Sequence, residues 1–89
     1  MMLNFPNPNR SFDERRRYVR FWGSDGAIEV TLFLELAALK KLVPTLENTE
    51  SDCLGAFDTY IDRIHEVAKK VYNRNKHGSY VCVLTAHNF

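Results

Sequence analysis

The sequence has little of the features that mark several specialised protein classes. Two cysteines in 89 residues are too few for a disulfide framework, and we expect both to be reduced thiols. No apolar run approaches the roughly 20 residues that a membrane-spanning helix requires. Neither sign of charge dominates, because 12 Lys and Arg face 11 Asp and Glu, which disfavours a dedicated polyanion-binding protein. These scarcities predict a cytoplasmic protein without a membrane partner.

Length and composition predict a single domain over residues 1–89. A hydrophobic content of 45% with 26% charged residues is ordinary for a folded chain. A chain of this size buries roughly 60–65% of the surface that its unfolded form exposes, so a second subunit would add useful stability. Pro6 and Pro8 lie among asparagines and disfavour both helix and inner strand. We therefore expect residues 1–9 to form an extended N-terminal arm.

A long amphipathic helix is predicted from Leu54 to Tyr72. Its apolar positions recur at steps of three and four, close to the helical period of 3.6. These positions are Leu54, Phe57, Ile61, Ile64, Ala68 and Val71. Thr49 or Ser51 is expected to cap the helix. Gly55 lies inside it, which suggests close packing against another backbone.

A β-hairpin is predicted before that helix, with strands at Arg16–Trp22 and Ala27–Leu34. Between them, Asp25-Gly26 is typical of a type I′ turn, in which both central residues have a positive φ. This turn sets a register in which Phe21 faces Val30 on one side of the sheet. In the same register Arg16 faces Glu35 and Trp22 faces Glu29 on the other side. Every cross-strand pair is favourable or neutral, which favours the hairpin.

Three further elements complete the predicted fold. Ser11–Asp13 is a short edge strand, and Leu36–Val43 is a short helix that ends before Pro44. Tyr80–Thr85 is a last strand that is apolar on both faces, so we expect cover on both faces. The long helix covers one of them, and the short helix or a partner chain is expected to cover the other. Gly78 is expected to end the long helix before it. The result is a two-layer α+β fold, in which an antiparallel sheet of three to four strands packs on one long helix, with a short helix beside it.

Several short motifs follow one another along nearly the whole chain. They are Arg10-Ser11-Phe12-Asp13, Val19-Arg20-Phe21-Trp22-Gly23, Ala38-Leu39, Phe57, Arg63-Ile64, Ala68 through Tyr72, and Leu84-Thr85 ahead of Phe89. In this order they resemble the uncharacterised bacterial domain-of-unknown-function 1488 family. The resemblance implies a small cytoplasmic α+β protein with no assigned activity, and it carries over no catalytic residue. Glu35 and Asn88 depart from the family pattern, which has a small hydroxyl residue and an aspartate at these positions.

One strand face of the hairpin concentrates basic and aromatic side chains. They are Arg16, Tyr18, Arg20, Trp22 and Phe33. We interpret this face as an interaction surface, and the protein as a non-enzymatic interaction or regulatory module that forms a homodimer or binds a protein partner. The alternative is single-stranded nucleic-acid binding, with arginines on phosphates and aromatics on bases. Glu29 and Glu35 on the same face weaken that alternative.

Catalytic or metal chemistry finds little support in the spacing of reactive residues. A third hypothesis is a small enzyme centred on Cys53 or His65, which would need a concave pocket that joins one of them to an acid or base. The sequence indicates no base for the thiol. Lys69 stands where a zinc helix would need its second histidine after His65. One further set of potential ligands matches no common zinc spacing; its members are His77, Cys82 and His87. We therefore predict no catalytic residue, no metal and no cofactor.

Overall fold

The computed structural model describes residues 3–74 and 80–89, in which three helices lie on one side of a five-stranded sheet. The elements in chain order are β1 (Leu3–Asn4), β2 (Arg10–Asp13), β3 (Tyr18–Asp25), β4 (Ile28–Glu35), α1 (Leu36–Leu42), α2 (Glu50–Thr59), α3 (Ile61–Arg74) and β5 (Val81–Leu84). A short 3₁₀ turn at Ala86–Asn88 follows. The predicted α+β fold class is confirmed. None of the helices in these two ranges has the length and apolarity needed to cross a bilayer.

The sheet is mixed, with the strand order β1-β3-β4-β5. β1 and β2 share one edge of β3, and both are antiparallel to it, as β4 is on the other edge. β5 pairs with β4 in parallel, with Phe33 opposite Val83. The sequence predicts antiparallel pairing throughout, and this last pair differs. The chain crosses over the sheet through three helices before β5, and such crossovers join parallel strands.

The hairpin of β3 and β4 is confirmed, but its register differs by two residues from the predicted one. Phe21 pairs with Leu32, and Asp25 pairs with Ile28. The central turn residues are therefore Gly26 and Ala27, and of these two only Gly26 has a positive φ, of 63°. This is the pattern of a type II′ turn, which needs glycine at its first central position. A shift of two keeps every side chain on its predicted face, because the strand period is two.

The side chain of Asp25 closes the hairpin end against α3. The hydroxyl of Tyr72 donates a hydrogen bond of 2.6 Å to the Asp25 carboxylate. This bond, with burial and the nearby negative charge, raises the pKa of Tyr72 to about 12. The bond therefore fixes the C-terminal half of α3 to the turn.

The core lies between one face of the sheet and the three helices. From the sheet it takes Val19, Phe21, Val30, Leu32, Leu34, Cys82 and Leu84, and from the helices Leu36, Ala38, Leu39, Cys53, Ala56, Phe57, Ile64, Val67, Ala68, Val71 and Tyr72. Leu3 of β1 is also completely buried in it. Burial of these apolar side chains is the main favourable contribution to folding. The short helix α1, predicted at Leu36–Val43, covers this same face rather than the opposite one.

The predicted long helix is two helices, α2 and α3, which meet at Tyr60. This residue leaves the helical region, with φ −105° and ψ 22°, although its N–H still bonds to the carbonyl of Ala56. α2 packs against β2 and β3, whereas α3 packs against β5. The prediction of one helix is therefore wrong because two parts of a twisted sheet need cover in different directions. The apolar stripe runs through the break because both helices face one core.

The helix N-termini are capped in different ways. Thr49, one of the two predicted caps, is the N-cap of α2, because its hydroxyl accepts a hydrogen bond of 3.1 Å from the N–H of Asp52. Glu35 precedes α1 without a side-chain cap, and the N–H of Leu36 instead bonds to the carbonyl of Arg17. At the 3₁₀ turn, the side-chain oxygen of Asn88 accepts from the N–H of Thr85 at 2.7 Å. An amide oxygen there accepts as a carboxylate would. The predicted stop at Gly78 lies outside the described residues.

The loop between β2 and β3 is held by Asp13. Its carboxylate accepts a hydrogen bond from the N–H of Arg16, and its carbonyl accepts one from the N–H of Arg17. Arg17 has a φ of 60°, in the left-handed region. A residue with a Cβ costs on the order of 1–2 kcal/mol in that conformation. The loop therefore holds an arginine where glycine would be less strained.

Gly55 is not packed against another backbone, so that expectation is wrong. A Cβ at this position would meet no atom within 4 Å. Gly55→Ala is expected to raise the free energy of unfolding by about 0.5–1 kcal/mol, because alanine loses less backbone entropy in a helix. Urea denaturation followed by the fluorescence of Trp22 measures this change.

Gly26→Ala is the matched control for the Gly55 substitution. Its position is equally open, but its φ of 63° disfavours a side chain. The same methyl group should therefore destabilise the protein at residue 26. A loss of stability in Gly55→Ala would contradict the open environment described for α2.

Candidate functional site

The sheet face that lies opposite the helices is open to solvent. Alternation along β3, β4 and β5 brings these side chains to it: Tyr18, Arg20, Trp22, Thr31, Phe33, Val81 and Val83. We call this set the open face. Val81 is 52% exposed and Val83 is 46% exposed. The short helix does not provide the cover expected for this face of the last strand, because all three helices pack on the other side. The expected cover by a partner chain stays a prediction.

Most of the residues predicted as an interaction surface lie together on the open face. The rings of Tyr18 and Phe33 are tilted against each other, with their centroids 4.5 Å apart. The guanidinium of Arg20 lies 5.5 Å from the ring centroid of Trp22, within cation–π range. Arg16 is in the loop before β3 rather than in the strand, and its guanidinium donates to the Tyr18 hydroxyl at 3.3 Å. The alternation in the sequence was sufficient to group these side chains.

Acidic residues border the same surface. Glu35 pairs with Tyr18 and Glu29 pairs with Ser24, so both glutamates are on the open-face side of β4. The predicted pairs of Arg16 with Glu35 and of Trp22 with Glu29 are absent because of the register. The surface consequently has an apolar and aromatic centre with both signs of charge around it.

A groove on the other side of the molecule was not predicted from the sequence. It has a volume of about 300 Å³ and lies between the N-terminal arm and the junction of α2 and α3. Its lining residues are Phe5, Asn7, Pro8, Asn9, Phe21, Phe57, Asp58, Ile61 and His65. The signal in the sequence was Phe5, a single aromatic residue in a polar arm. A single aromatic residue is not a pattern from which the wall of a groove can be predicted.

Stacking between Phe5 and His65 attaches the arm to α3. Their rings are parallel, with centroids 3.7 Å apart. Burial lowers the pKa of His65, although Asp62 opposes this shift and Lys69 adds to it. A depressed pKa favours the neutral imidazole, which suits an apolar stack. His65 is therefore a wall residue between the arm and the helix.

The groove brings His65 and Asp58 to one concave surface, which is the arrangement that the enzyme hypothesis required. Both carboxylate oxygens of Asp58, however, accept hydrogen bonds from the guanidinium of Arg10, at 2.8 and 2.7 Å. That bidentate bond holds the pKa of Asp58 below its usual range. The carboxylate is thus occupied in an ion pair between β2 and α2. The site gives an apolar recess rather than an acid–base pair.

The cysteines are buried inside the core. The thiol of Cys53 is completely buried, and burial raises its pKa, with a further rise from Asp52. Burial also raises the pKa of Cys82. A raised pKa disfavours the thiolate that nucleophilic or metal-binding roles require. Within residues 3–74 and 80–89, no three His, Cys, Asp or Glu side chains are grouped as a metal site would need, and His77 lies outside these ranges.

These features define a small two-layer α+β protein with an open mixed-sheet face and an arm that crosses to the helix layer. The chain belongs to the DUF1488 family of proteins of unknown function, whose model matches residues 3–84. The resemblance seen in the sequence is thereby confirmed.

A solved structure supports the same fold. It is a protein of unknown function from the DUF1488 family of Shewanella loihica, with a TM-score of 0.77 and 16% sequence identity. The match covers 94% of this chain and 93% of that one. At this sequence identity, the similarity shows a common fold and nothing about activity. No curated protein matches the chain.

Proposed function

We propose that this protein is a non-enzymatic interaction module that associates with a second copy of itself through the open face. The observation that carries this proposal is the apolar strip across β4 and β5, where Phe33 lies beside the 46% exposed Val83. Trp22 and Tyr18 extend the strip onto β3. Removal of such apolar surface from water by a partner is favourable and therefore stabilises a complex.

The charges around the strip favour a second copy over a polyanion. Arg20 lies on the open face, with Glu29 and Glu35 bordering it. A two-fold dimer presents the same patch on both subunits, so a patch with both signs of charge can complement itself. Nucleic-acid phosphates would instead be repelled by the two carboxylates.

Val83→Lys tests the proposed dimer. A lysine on the strip would place a like charge opposite its own symmetry mate and remove apolar contact, so we expect the dimer dissociation constant to rise by about tenfold or more. Sedimentation equilibrium over a range of protein concentrations measures that constant. Circular dichroism checks that the variant remains folded.

Ile28→Lys is the matched control for Val83→Lys. Ile28 is 44% exposed, close to the value for Val83, but it is on the helix side of the hairpin end. The control should associate like the original protein. A strictly monomeric original protein at high micromolar concentration would contradict the proposal. So would a Val83→Lys variant that dimerises normally.

Single-stranded nucleic-acid binding is the second candidate, and the contact between the Tyr18 and Phe33 rings beside Arg20 favours it. A labelled oligonucleotide titrated at low and moderate salt discriminates between the two functions. Salt-dependent binding that is lost in an Arg16→Ala/Arg20→Ala variant would support this function instead of the dimer. Absence of binding removes it.

We also infer that the protein is bacterial and cytoplasmic. Two buried free thiols suit a reducing compartment, and the solved family member comes from Shewanella loihica. Cell fractionation with an antibody against the chain tests the location. Recovery from a membrane or periplasmic fraction would contradict it.

A further inference from the structure

A second recess lies between the β2–β3 loop and the start of α1. It has a volume of about 350 Å³, and its lining residues are Arg16, Arg17, Tyr18, Glu35, Leu36, Ala37 and Lys40. Three of these side chains are cations and one is a carboxylate. This recess differs in chemistry from the groove near His65, whose lining, among the residues that the structure describes, includes three phenylalanines and neither arginine nor lysine.

The backbone around the recess is fixed by hydrogen bonds. The carbonyl of Arg17 accepts from the N–H of Leu36 at 3.0 Å, which joins the loop to the helix. Asp13 holds the other side of the loop through its bond of 2.9 Å with the N–H of Arg16. Lys40 is one helical turn after Leu36, on the same side of α1. The cations thus come from two elements whose separation is set by the fold.

We propose that this recess binds the phosphate group of a small organic phosphate. Guanidinium groups match phosphate oxygens with paired N–H donors, and a lysine ammonium adds a compact positive charge. Arg16, Arg17 and Lys40 supply both kinds of group around one concavity. Leu36 and Ala37 give an apolar wall for the rest of the ligand, and the volume is within the range of small-molecule sites.

The conformation of Arg17 is an independent observation in favour of a ligand. Its φ of 60° is unfavourable for any residue with a side chain. Backbone strain of this kind is concentrated at binding sites, where a particular side chain is needed. Here the strained residue, Arg17, is a cation that lines the recess. If only the shape of the loop mattered, a glycine at this position would form it with less strain.

The test is a titration of the full chain with inorganic phosphate and, separately, with phenyl phosphate, at constant ionic strength. Amide chemical shifts measured by NMR report the position and affinity of each ligand. We expect saturable shifts at Arg16, Arg17, Tyr18 and Lys40. Phenyl phosphate should bind about two- to fivefold more tightly, because its ring contacts the apolar wall. Binding of equal strength would limit the site to the phosphate group itself and overturn the organic-ligand part of the proposal.

Arg17→Gly separates binding from folding. It removes the cation and relieves the left-handed strain, so the variant should be as stable as the original protein or more stable, with phosphate affinity reduced about fivefold or more. Glu35→Gln should have the opposite effect and tighten binding about twofold, because a like charge leaves the recess. A merely damaged loop would not give this gain.

Arg15→Ala is the matched control, since Arg15 is in the same loop but does not line the recess. It should retain most of the affinity. An equal loss in Arg15→Ala and Arg17→Gly would show a general charge effect and overturn the site. Shifts that fail to saturate, or that spread over all basic residues, would overturn it as well. The recess shares Tyr18 with the open face, so the same titration in the Val83→Lys variant, with its weakened dimer, separates phosphate binding from self-association.

Discussion

Replacing Phe57 with alanine is expected to lower the free energy of unfolding by about 3–5 kcal/mol. The Phe57 side chain is 2% exposed, and its ring meets the ring of Phe21 edge-on, with centroids 5.0 Å apart. Truncation would leave a cavity between α2 and the sheet. A chain of 89 residues has a total stability of about 4–13 kcal/mol, so this loss is a large fraction of it. Urea denaturation followed by the fluorescence of Trp22 measures the effect.

Tyr60→Ala is the control for the Phe57 substitution. It removes an aromatic ring of similar size three residues later, where the side chain is 37% exposed. We expect a clearly smaller loss than for Phe57→Ala, because Tyr60 keeps 37% of its surface in water whereas Phe57 keeps 2%. Equal losses in the two variants would mean that the ring of Phe57 is not part of the core, contrary to the structure.

Gly23→Ala is expected to destabilise the protein by about 1–3 kcal/mol. A Cβ at Gly23 would lie 2.8 Å from Cδ1 of Leu3 and 3.2 Å from the carbonyl oxygen of Asn4. The first distance is too short for two carbon atoms that are not bonded to each other. Leu3 is buried, so its side chain cannot move aside freely. The methyl group therefore has to displace β1 from the edge of β3. Denaturation curves measure the loss.

A double-mutant cycle with Leu3→Ala identifies the cause. Leu3→Ala removes the side chain that the new methyl group would strike. The double variant should therefore lose less stability than the two single variants together, by about 0.5 kcal/mol or more. Simple additivity would show that Gly23 is needed for its backbone alone and that β1 does not press on this position.

The hairpin shows what alternation in a sequence does and does not determine. Apolar residues at every second position assigned the correct faces to Val19, Phe21 and Leu32. The same alternation is unchanged by a shift of two residues, so the pairing partners depended on the turn. Gly26 suits either a type I′ or a type II′ turn, and in the structure Asp25 bonds to Tyr72 instead of entering the turn. That choice is made by a residue far away in sequence.

The break at Tyr60 has a similar explanation. The periodicity of Leu54, Phe57, Ile61 and Ile64 reports that these residues face one core, and they do. It does not report whether the helix axis stays straight, because the residues around Tyr60 include neither proline nor glycine. The change in direction follows from the position of β5 in the sheet, and that position depends on parallel pairing with β4. Local sequence carries no record of either.

The candidate surfaces also differ in whether local sequence could predict them. The hairpin part of the open face, with Tyr18, Arg20, Trp22 and Phe33, could be predicted from the sequence, since it needs only alternation within one hairpin. Val81 and Val83 join that face through the parallel pairing of β5 with β4, which the sequence did not indicate. The groove near Phe5 and the recess near Arg17 each combine segments that are distant in the chain. Arg17 and Lys40 come together because the carbonyl of Arg17 receives the first N–H of α1. Such a contact is decided by the folded backbone and not by spacing.

The parallel pairing of β5 with β4 has a consequence for synthesis of the chain. β4 leaves the ribosome before all three helices, whereas its partner strand follows after them. During that interval the edge of β4 that later pairs with β5 has no hydrogen-bonded neighbour. Leu32 and Leu34, which belong to β4, are then exposed along that edge. Free edges of this kind pair readily with other nascent chains. Slow translation through the helical segment would lengthen this exposure.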